Sequence, residues 1–266
     1  MSHLSGGQPE GPAVTAFLIL KRESERVPEK NFRALGGRPL YRWVLDALLG
    51  TRVSQVLIDT DARDRIEALG LPSDPRITIH DRAPELRGHA VTANALLRPH
   101  VEARPDAVWL MVHATSPFLT AETLTAALAS FRARAEAGTA DSVFGVTRHQ
   151  TRFYDAAGHP VNHDPDNLVP TQALAPVFEE NSSLYVFSSE SFRRTGRRIG
   201  ARPAHHPTPR LESLDIDTEE DFAMAELIAT GLAARPAVAP VAPAPAPEQR
   251  WLLTLNQKGW DVAQRL

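Results

Sequence analysis

Two aspartates one residue apart, Asp215 and Asp217, carry the sharpest chemical signal in this chain. If the backbone there is a strand, residues two apart point to one face and the carboxylates converge. Paired carboxylates are a usual way to hold Mg2+ beside phosphate oxygens, because this hard cation takes oxygen donors. The same residues also read as a solvated strand end, since Thr218-Glu219-Glu220-Asp221 has the acids of a helix N-terminus. A second signal is the charged run Lys21 to Asn31, KRESERVPEKN. Its cations could neutralise a triphosphate, and its other reading is an ordinary charged surface loop. It is not a P-loop, because the glycines of GxxxxGK[ST] are missing.

Two clusters are weaker. Glu179-Glu180-Asn181-Ser182 precedes an apolar run, where polar side chains reach a ligand or make a solvated turn. His113 follows the apolar run around Trp109 and precedes Thr115-Ser116-Pro117, as a ligand contact or a structural histidine. His205-His206 is expected in a loop. The ten histidines show no HExxH spacing, and no GxSxG elbow supports an α/β-hydrolase.

These residues need elements to position them. Val14 to Leu20 (VTAFLIL), Gln55 to Asp59, Ile77 to His80 and Ala107 to Val112 read as buried strands. Helical segments alternate with them: one from Pro39 to Leu49, one from Ala62 to Leu69 with Gly70 past its end, and one from Thr92 to Glu102. A fourth opens at Thr120 and runs to about Glu136. Alternation at this spacing predicts an α/β fold with a doubly wound, mostly parallel sheet. Ligands then sit outside the carboxyl ends of the strands, where the segments after Leu20, Ile58 and Val112 lie. Ser142 to Thr147 and Ser183 to Phe187 read as further strands, and Glu219 to about Ala234 as a closing helix. Arg148 to Val177 is polar and turn-rich and reads as a loop-rich arm.

The ends read differently. Residues 1–13 are Gly/Pro-rich and polar, a disordered tail rather than a signal peptide. The domain runs over 14–234, Pro and Ala dominate a linker over 235–250, and 251–266 reads as a short amphipathic helix interrupted at Gly259. The chain has 266 residues, 42% hydrophobic, enough for a sizeable core. A net charge of -3 gives no basic footprint for nucleic acid. The absence of cysteine excludes disulfides and thiolate metal sites. No apolar run approaches the ~20 residues of a membrane span, so a cytoplasmic location is the default expectation.

In order, the motifs resemble those of the CMP-sialic acid synthetase family, the acylneuraminate cytidylyltransferases. Ser24 to Asn31 (SERVPEKN) is similar to the second half of the family's PARGGSKRIPxKN. Leu35 to Leu40 (LGGRPL), Ile58 to Asp61 (IDTD) and Arg82 to Gly88 (RAPELRG) resemble its LGGKPL, STD and RPxEL. Ala114 to Leu119 (ATSPFL), Glu180 to Phe187 (ENSSLYVF) and Ser213 to Asp221 (SLDIDTEED) resemble its PTSPLR, ENGAIYVF and SIDIDTxxD.

The resemblance implies a Rossmann-like fold with a small dimerisation arm, here Arg148 to Val177, and a homodimer. It implies attack by the hydroxyl of an acidic sugar on the α-phosphate of CTP, releasing pyrophosphate. By the same resemblance Asp215 and Asp217 hold Mg2+. Lys21, Arg26 and the catalytic Lys30 face the triphosphate, Asn31 and Arg82 help hold the nucleotide, and His113, Gln172, Glu180 and Asn181 line the sugar side. The expected acceptor is a nonulosonic acid such as sialic, legionaminic or pseudaminic acid. The alternatives are a 3-deoxy-octulosonate or a phosphonate, or nucleotide binding without turnover. The chain departs from the family pattern at Arg22-Glu23, where the family has Gly-Gly, and at Glu25, where it has Lys. His113 stands for a Gln, and His89 for an Asp.

Overall fold

A computed structural model describes residues 12–234, 251–256 and 259–265. The chain forms β1 (Val14–Leu20), a small hairpin β2 (Ala34–Leu35) and β3 (Arg38–Pro39), α1 (Leu40–Leu49), β4 (Gln55–Thr60), α2 (Arg63–Leu69), β5 (Ile77–Asp81) and α3 (Ala93–Glu102). Then follow β6 (Val108–His113), α4 (Ala121–Glu136), β7 (Ser142–His149), β8 (Val177–Ser188), α5 (Ser189–Thr195), β9 (Pro203–Pro207) and α6 (Glu219–Ala234).

Seven strands make one sheet in the order β5-β4-β1-β6-β8-β7-β9. β5, β4, β1 and β6 run parallel, β8 runs antiparallel to both β6 and β7, and β9 is parallel to β7. The expected doubly wound, mostly parallel sheet is present. Its central strands read as continuous apolar runs because both faces are covered. Ala16, Leu18 and Leu20 pack with Val44 and Leu48 of α1 and Leu124 and Phe131 of α4. Phe17, on the other face, packs with Leu96, Leu97 and Val101 of α3 and with Trp109 and Phe192.

A third cluster positions the site. It joins Val27, Leu35 and Leu40 to Phe118, Ile216 and, from α6, Phe222, Ala225 and Ala229. The turn between β2 and β3 needs Gly36 and Gly37, both at positive φ (56° and 81°), as a tight hairpin with two left-handed central residues does. Helix starts follow the expected chemistry: the Thr92 and Thr120 hydroxyls accept from Ala95 N and Thr123 N, each at 3.2 Å.

Four sequence expectations are corrected. His205 and His206 lie in β9, paired with Phe144 and Gly145 of β7, because alternation of exposed and half-buried residues suits an edge strand better than a loop. Asp215 to Asp217 lies outside every strand, in the segment that leads into α6. β7 and β8 extend further than their apolar runs, so the arm between them spans 150–176, with a Tyr154–Pro160 bridge and a 3-10 turn at Thr171–Ala173. The segment after the linker is not a helix. β10 (Trp251–Asn256) and β11 (Gly259–Arg265) form an antiparallel pair, a unit described here by itself. Gly259, an interruption on the helical reading, opens the second strand. The N-terminal tail up to residue 11 and the linker over 235–250 lie outside the described residues. Among the described residues no helix is long and apolar enough to cross a membrane.

Candidate active site

The charged run after β1 is a pinned loop. Arg22 N donates to Asp61 Oδ1 at 2.7 Å, and the Arg22 guanidinium reaches out to Asp64. Asn31 Nδ2 donates to Lys21 O at 2.9 Å and closes the loop on itself. Tyr41 N, at the start of α1, donates to Asn31 O at 3.0 Å. Val27 is fully buried in the third core cluster and anchors the middle. Charged residues therefore surround one apolar peg, and the cations are presented rather than loose.

They are presented to a cavity of about 300 Å³, walled by Lys21, Arg26, Lys30 and Asn31, by His89 to Leu96 in part, and by His113 and Thr115. Burial, then the Arg82 cation behind it, lowers the Lys21 pKa. His113 is the other marked group. Burial first, then the Arg198, Lys30 and Lys21 cations, lowers it to about 4, and its buried Nε2 has no hydrogen-bond partner. It is a neutral imidazole with a free polar atom. The departures Glu25 and His89 face one another across the mouth, with Oε1 and Nδ1 3.7 Å apart. Base and acid in the family motifs have become acid and base here.

Asp217 meets the cationic loop from the other side, whereas Asp215 lines a separate cavity with Ser213 and Asp221. Ile216 is buried in the third cluster, and its N donates to Thr115 O at 2.9 Å. Lys30 Nζ donates to Ile216 O at 2.6 Å and lies 3.4 Å from Asp217 Oδ1, while Arg26 pairs with Asp217 Oδ2 at 2.9 Å. The loop and this segment, far apart in sequence, are thus tied by the residues expected to carry charge. Burial raises the Asp215 pKa, against a bond from the Thr115 hydroxyl, and its Oδ1 has no partner. The helix-start reading of this segment holds. Asp221 accepts from Asp217 N, Thr218 N and Thr218 Oγ1 at 3.0, 2.8 and 2.8 Å, and Asp221 N donates to Thr218 Oγ1 at 3.2 Å. That is a capping box with an aspartate as its acid.

The other expected residues are placed less simply. Arg82 does not line the cavity. It is 1% exposed and spans Asp59 and the end of β1, donating to Asp59 Oδ1 (2.6 Å), Asp59 O (3.0 Å) and Leu20 O (3.3 Å). Asn181 is buried and fully engaged: Nδ2 donates to Thr208 Oγ1 and Thr147 Oγ1, and Oδ1 accepts from Ser183 N and Oγ. Its neighbour Ser182 is left-handed (φ 56°), a bulge that turns Glu180 toward the Tyr185 hydroxyl. Arg198 Nη2 donates to that hydroxyl at 3.1 Å, and the Tyr185 ring lies 6.3 Å from that of His113. Glu180 thus joins a polar chain leading to the cavity wall. Gln172 is exposed on the arm and away from the cavity. Arg198 and Tyr185 were missed by sequence reading; only the strand position of Tyr185 hinted at a role.

The sheet order, the cationic loop after β1 and the acidic segment facing it define an α/β nucleotidyltransferase fold. Two solved structures share it at 13% identity and a TM-score of 0.56 each: the 4-diphosphocytidyl-2C-methyl-D-erythritol synthase of Anaerococcus prevotii, and a CMP:2-keto-3-deoxy-manno-octonic acid synthetase complexed with CTP. Each likeness covers 83% of this chain, and 97% and 98% respectively of the other. Residues 16–237 match the cytidylyltransferase family, and the chain belongs to it. N-acylneuraminate cytidylyltransferase B of Danio rerio is 28% identical over 235 residues, 85% of this chain and 54% of that protein. The CMP-N,N'-diacetyllegionaminic acid synthase of Legionella pneumophila is 24% identical over 229 residues, 80% of this chain and 94% of its own length. The chain spans about half the length of the vertebrate relatives it matches.

Proposed function

We propose that this chain transfers CMP from CTP to the hydroxyl of a nonulosonic acid, releasing pyrophosphate. The observation that carries the reading is the cavity at the end of β1, walled by Lys21, Arg26 and Lys30, with Asp217 paired to the last two of these. Three cations from one pinned loop suit a triphosphate, and such chemistry is mostly positioning and charge neutralisation. The acceptor oxygen forms a bond to the α-phosphorus as the bond to the bridging oxygen of pyrophosphate breaks. The acceptor's proton goes to solvent, since a histidine held near pKa 4 accepts protons poorly at neutral pH. His113 instead offers its unpartnered Nε2 as a hydrogen-bonding group to the sugar. The acceptor class rests on the relatives of the sialic and legionaminic acid type; the octulosonate reading has only the fold likeness behind it.

Asp215 and Asp217 fit Mg2+. Both are hard oxygen donors, one has a buried oxygen without a partner, and the other presents a half-exposed carboxylate to the loop. The ion would supply Lewis-acid polarisation of the phosphate oxygens. A two-fold dimer is part of the reading, because the arm exposes Tyr154, Val161 and Leu168, each more than half accessible. A cytoplasmic home goes with dependence on CTP. The test is pyrophosphate release with CTP and Mg2+ against a panel of sialic, legionaminic, pseudaminic and 3-deoxy-octulosonic acids, with ATP and GTP as controls. Release with a nonulosonic acid and CTP alone is expected. Release with the octulosonate alone, or equal use of a purine, overturns the assignment, and no release with any acceptor favours a binding protein.

A further inference from the structure

We propose that Asp59, His80 and His100 form a second metal site, built for a divalent transition ion of the zinc type. The three residues come from three elements. Asp59 and His80 are cross-strand partners at the carboxyl ends of β4 and β5, and His100 comes from α3, which covers that face of the sheet. One ligand atom from each lies within 4.8 Å of the other two. Among the described residues this is the one group of three metal-ligating side chains so placed.

The distances are close to those of a coordination shell. Asp59 Oδ2 is 3.1 Å from His80 Nδ1 and 3.5 Å from His100 Nε2. With metal–donor bonds of roughly 2.0–2.2 Å, the corners of a tetrahedron lie about 3.3–3.6 Å apart, so the His100 contact fits as it stands and the His80 pair, now at hydrogen-bond distance, need open only slightly. The His100 side chain is 8% exposed, and its Nε2 is buried without a hydrogen-bond partner in the direction of the cluster. An orphaned buried nitrogen needs an explanation, and an ion between the three groups supplies one. The His80 side chain is 43% exposed, which leaves an entry path and room for water as the fourth ligand.

The surroundings also have the order that ligands require. Arg82 Nε takes Asp59 Oδ1 at 2.6 Å, so Oδ2 is the oxygen turned to both imidazoles. Ligating carboxylates are usually held in this way by an outer partner. The charge of Arg82 is offset in turn by Asp61, 3.8 Å from its Nη1. Two imidazoles and one carboxylate select zinc-type ions over Mg2+, which prefers oxygen alone. Because Arg82 also holds Leu20 O, an ion here would stiffen the base of the cationic loop without lining its cavity.

The experiment uses the full chain after chelator treatment. Binding of Zn2+ is followed by calorimetry, and Co2+ is titrated as a spectroscopic probe. A single tight equivalent of Zn2+, a rise in Tm with Zn2+ but not Mg2+, and visible cobalt bands of four-coordinate intensity are expected. His80→Asn, at a half-exposed position that leaves the fold intact, should abolish the bands. It should weaken Zn2+ by more than the roughly 10–100-fold that loss of an outer-sphere partner costs. His159→Asn, at an exposed arm residue paired only with Asp155, should change neither and controls for adventitious histidine binding. No stoichiometric binding by the wild type, or unchanged binding by His80→Asn, would overturn the proposal and leave the three groups as a hydrogen-bonded network.

Discussion

Replacing Arg82 with methionine separates the two roles this residue has been given. If it held the nucleotide, the variant would lose affinity for CTP. The structure instead makes it a buried strut, 1% exposed, whose removal leaves the Asp59 carboxylate desolvated and short of its charge partner. Breaking a buried pair by removing one member costs about 3–5 kcal/mol. At roughly 2–4 °C per kcal/mol for a domain of this size, Tm should fall by about 6–20 °C. A pH series sharpens the test. Burial pushes the Asp59 carboxyl up, but the adjacent His100 imidazole and the Arg82 cation outweigh it and hold the group below its ordinary value. A depressed carboxylate contributes stability above the unfolded pKa and loses it as pH falls through the folded one. The variant's deficit should therefore be full at neutral pH and shrink as pH falls, starting at the raised pKa of the unpaired buried carboxylate in the variant and ending at the depressed one of the wild type. Differential scanning calorimetry across pH, with KM for CTP measured on the folded fraction, reads both quantities. A Tm change under ~2–4 °C, about 1 kcal/mol, with a large rise in KM would refute the strut and restore Arg82 to the nucleotide.

Three other outcomes are expected. Asp217→Asn should lower kcat by roughly 10²–10³-fold, the scale of removing one preorganised electrostatic group. Its pair with Arg26 is half-exposed and worth about 0–1 kcal/mol, so near-normal turnover with unchanged Tm would exclude its metal role. In an NMR titration His113 should stay neutral across roughly pH 5–8, since its pKa lies near 4, and a midpoint near that of free histidine would mean that the ring is not enclosed. Light scattering should give a dimer at micromolar concentration, shifted toward monomer by Leu168→Lys on the exposed arm; a monomer throughout would refute the arm's role.

How much of this was legible follows from what sequence patterns encode. The central strands were readable because burial on both faces leaves an apolar run that period and length identify, as in Val14 to Leu20. α4 was readable from a threonine cap that does what its chemistry predicts. β9 and the β10–β11 pair were not. Pro203 to Pro207 carries no apolar alternation, and its strand state comes from pairing with β7, a long-range cause that no local window contains. The site divides in the same way. Lys30 and Arg26 were legible because loop and motif coincide. The burial of Arg82 and Asn181 was not, because a polar residue in a motif looks the same whether it meets a ligand or satisfies the interior. Only the partners decide, and those of Asn181 come from β7, β8 and the segment after β9.

The acidic segment shows why two readings of one motif need not compete. Asp221 spends its carboxylate on Thr218 and on the Asp217 backbone, fixing where α6 begins. Ile216 is driven into the core with Val27 of the loop. Between them, the cap and the core residue leave Asp217 one orientation, toward Arg26 and Lys30. The helix-start reading therefore supplies the rigidity on which the metal reading depends, since a carboxylate on a fraying terminus could not hold a fixed place beside a phosphate. The same logic applies to the loop, where one buried valine among charges sets the direction of every cation around it. In both segments, which residue is buried decides which charge is free to act.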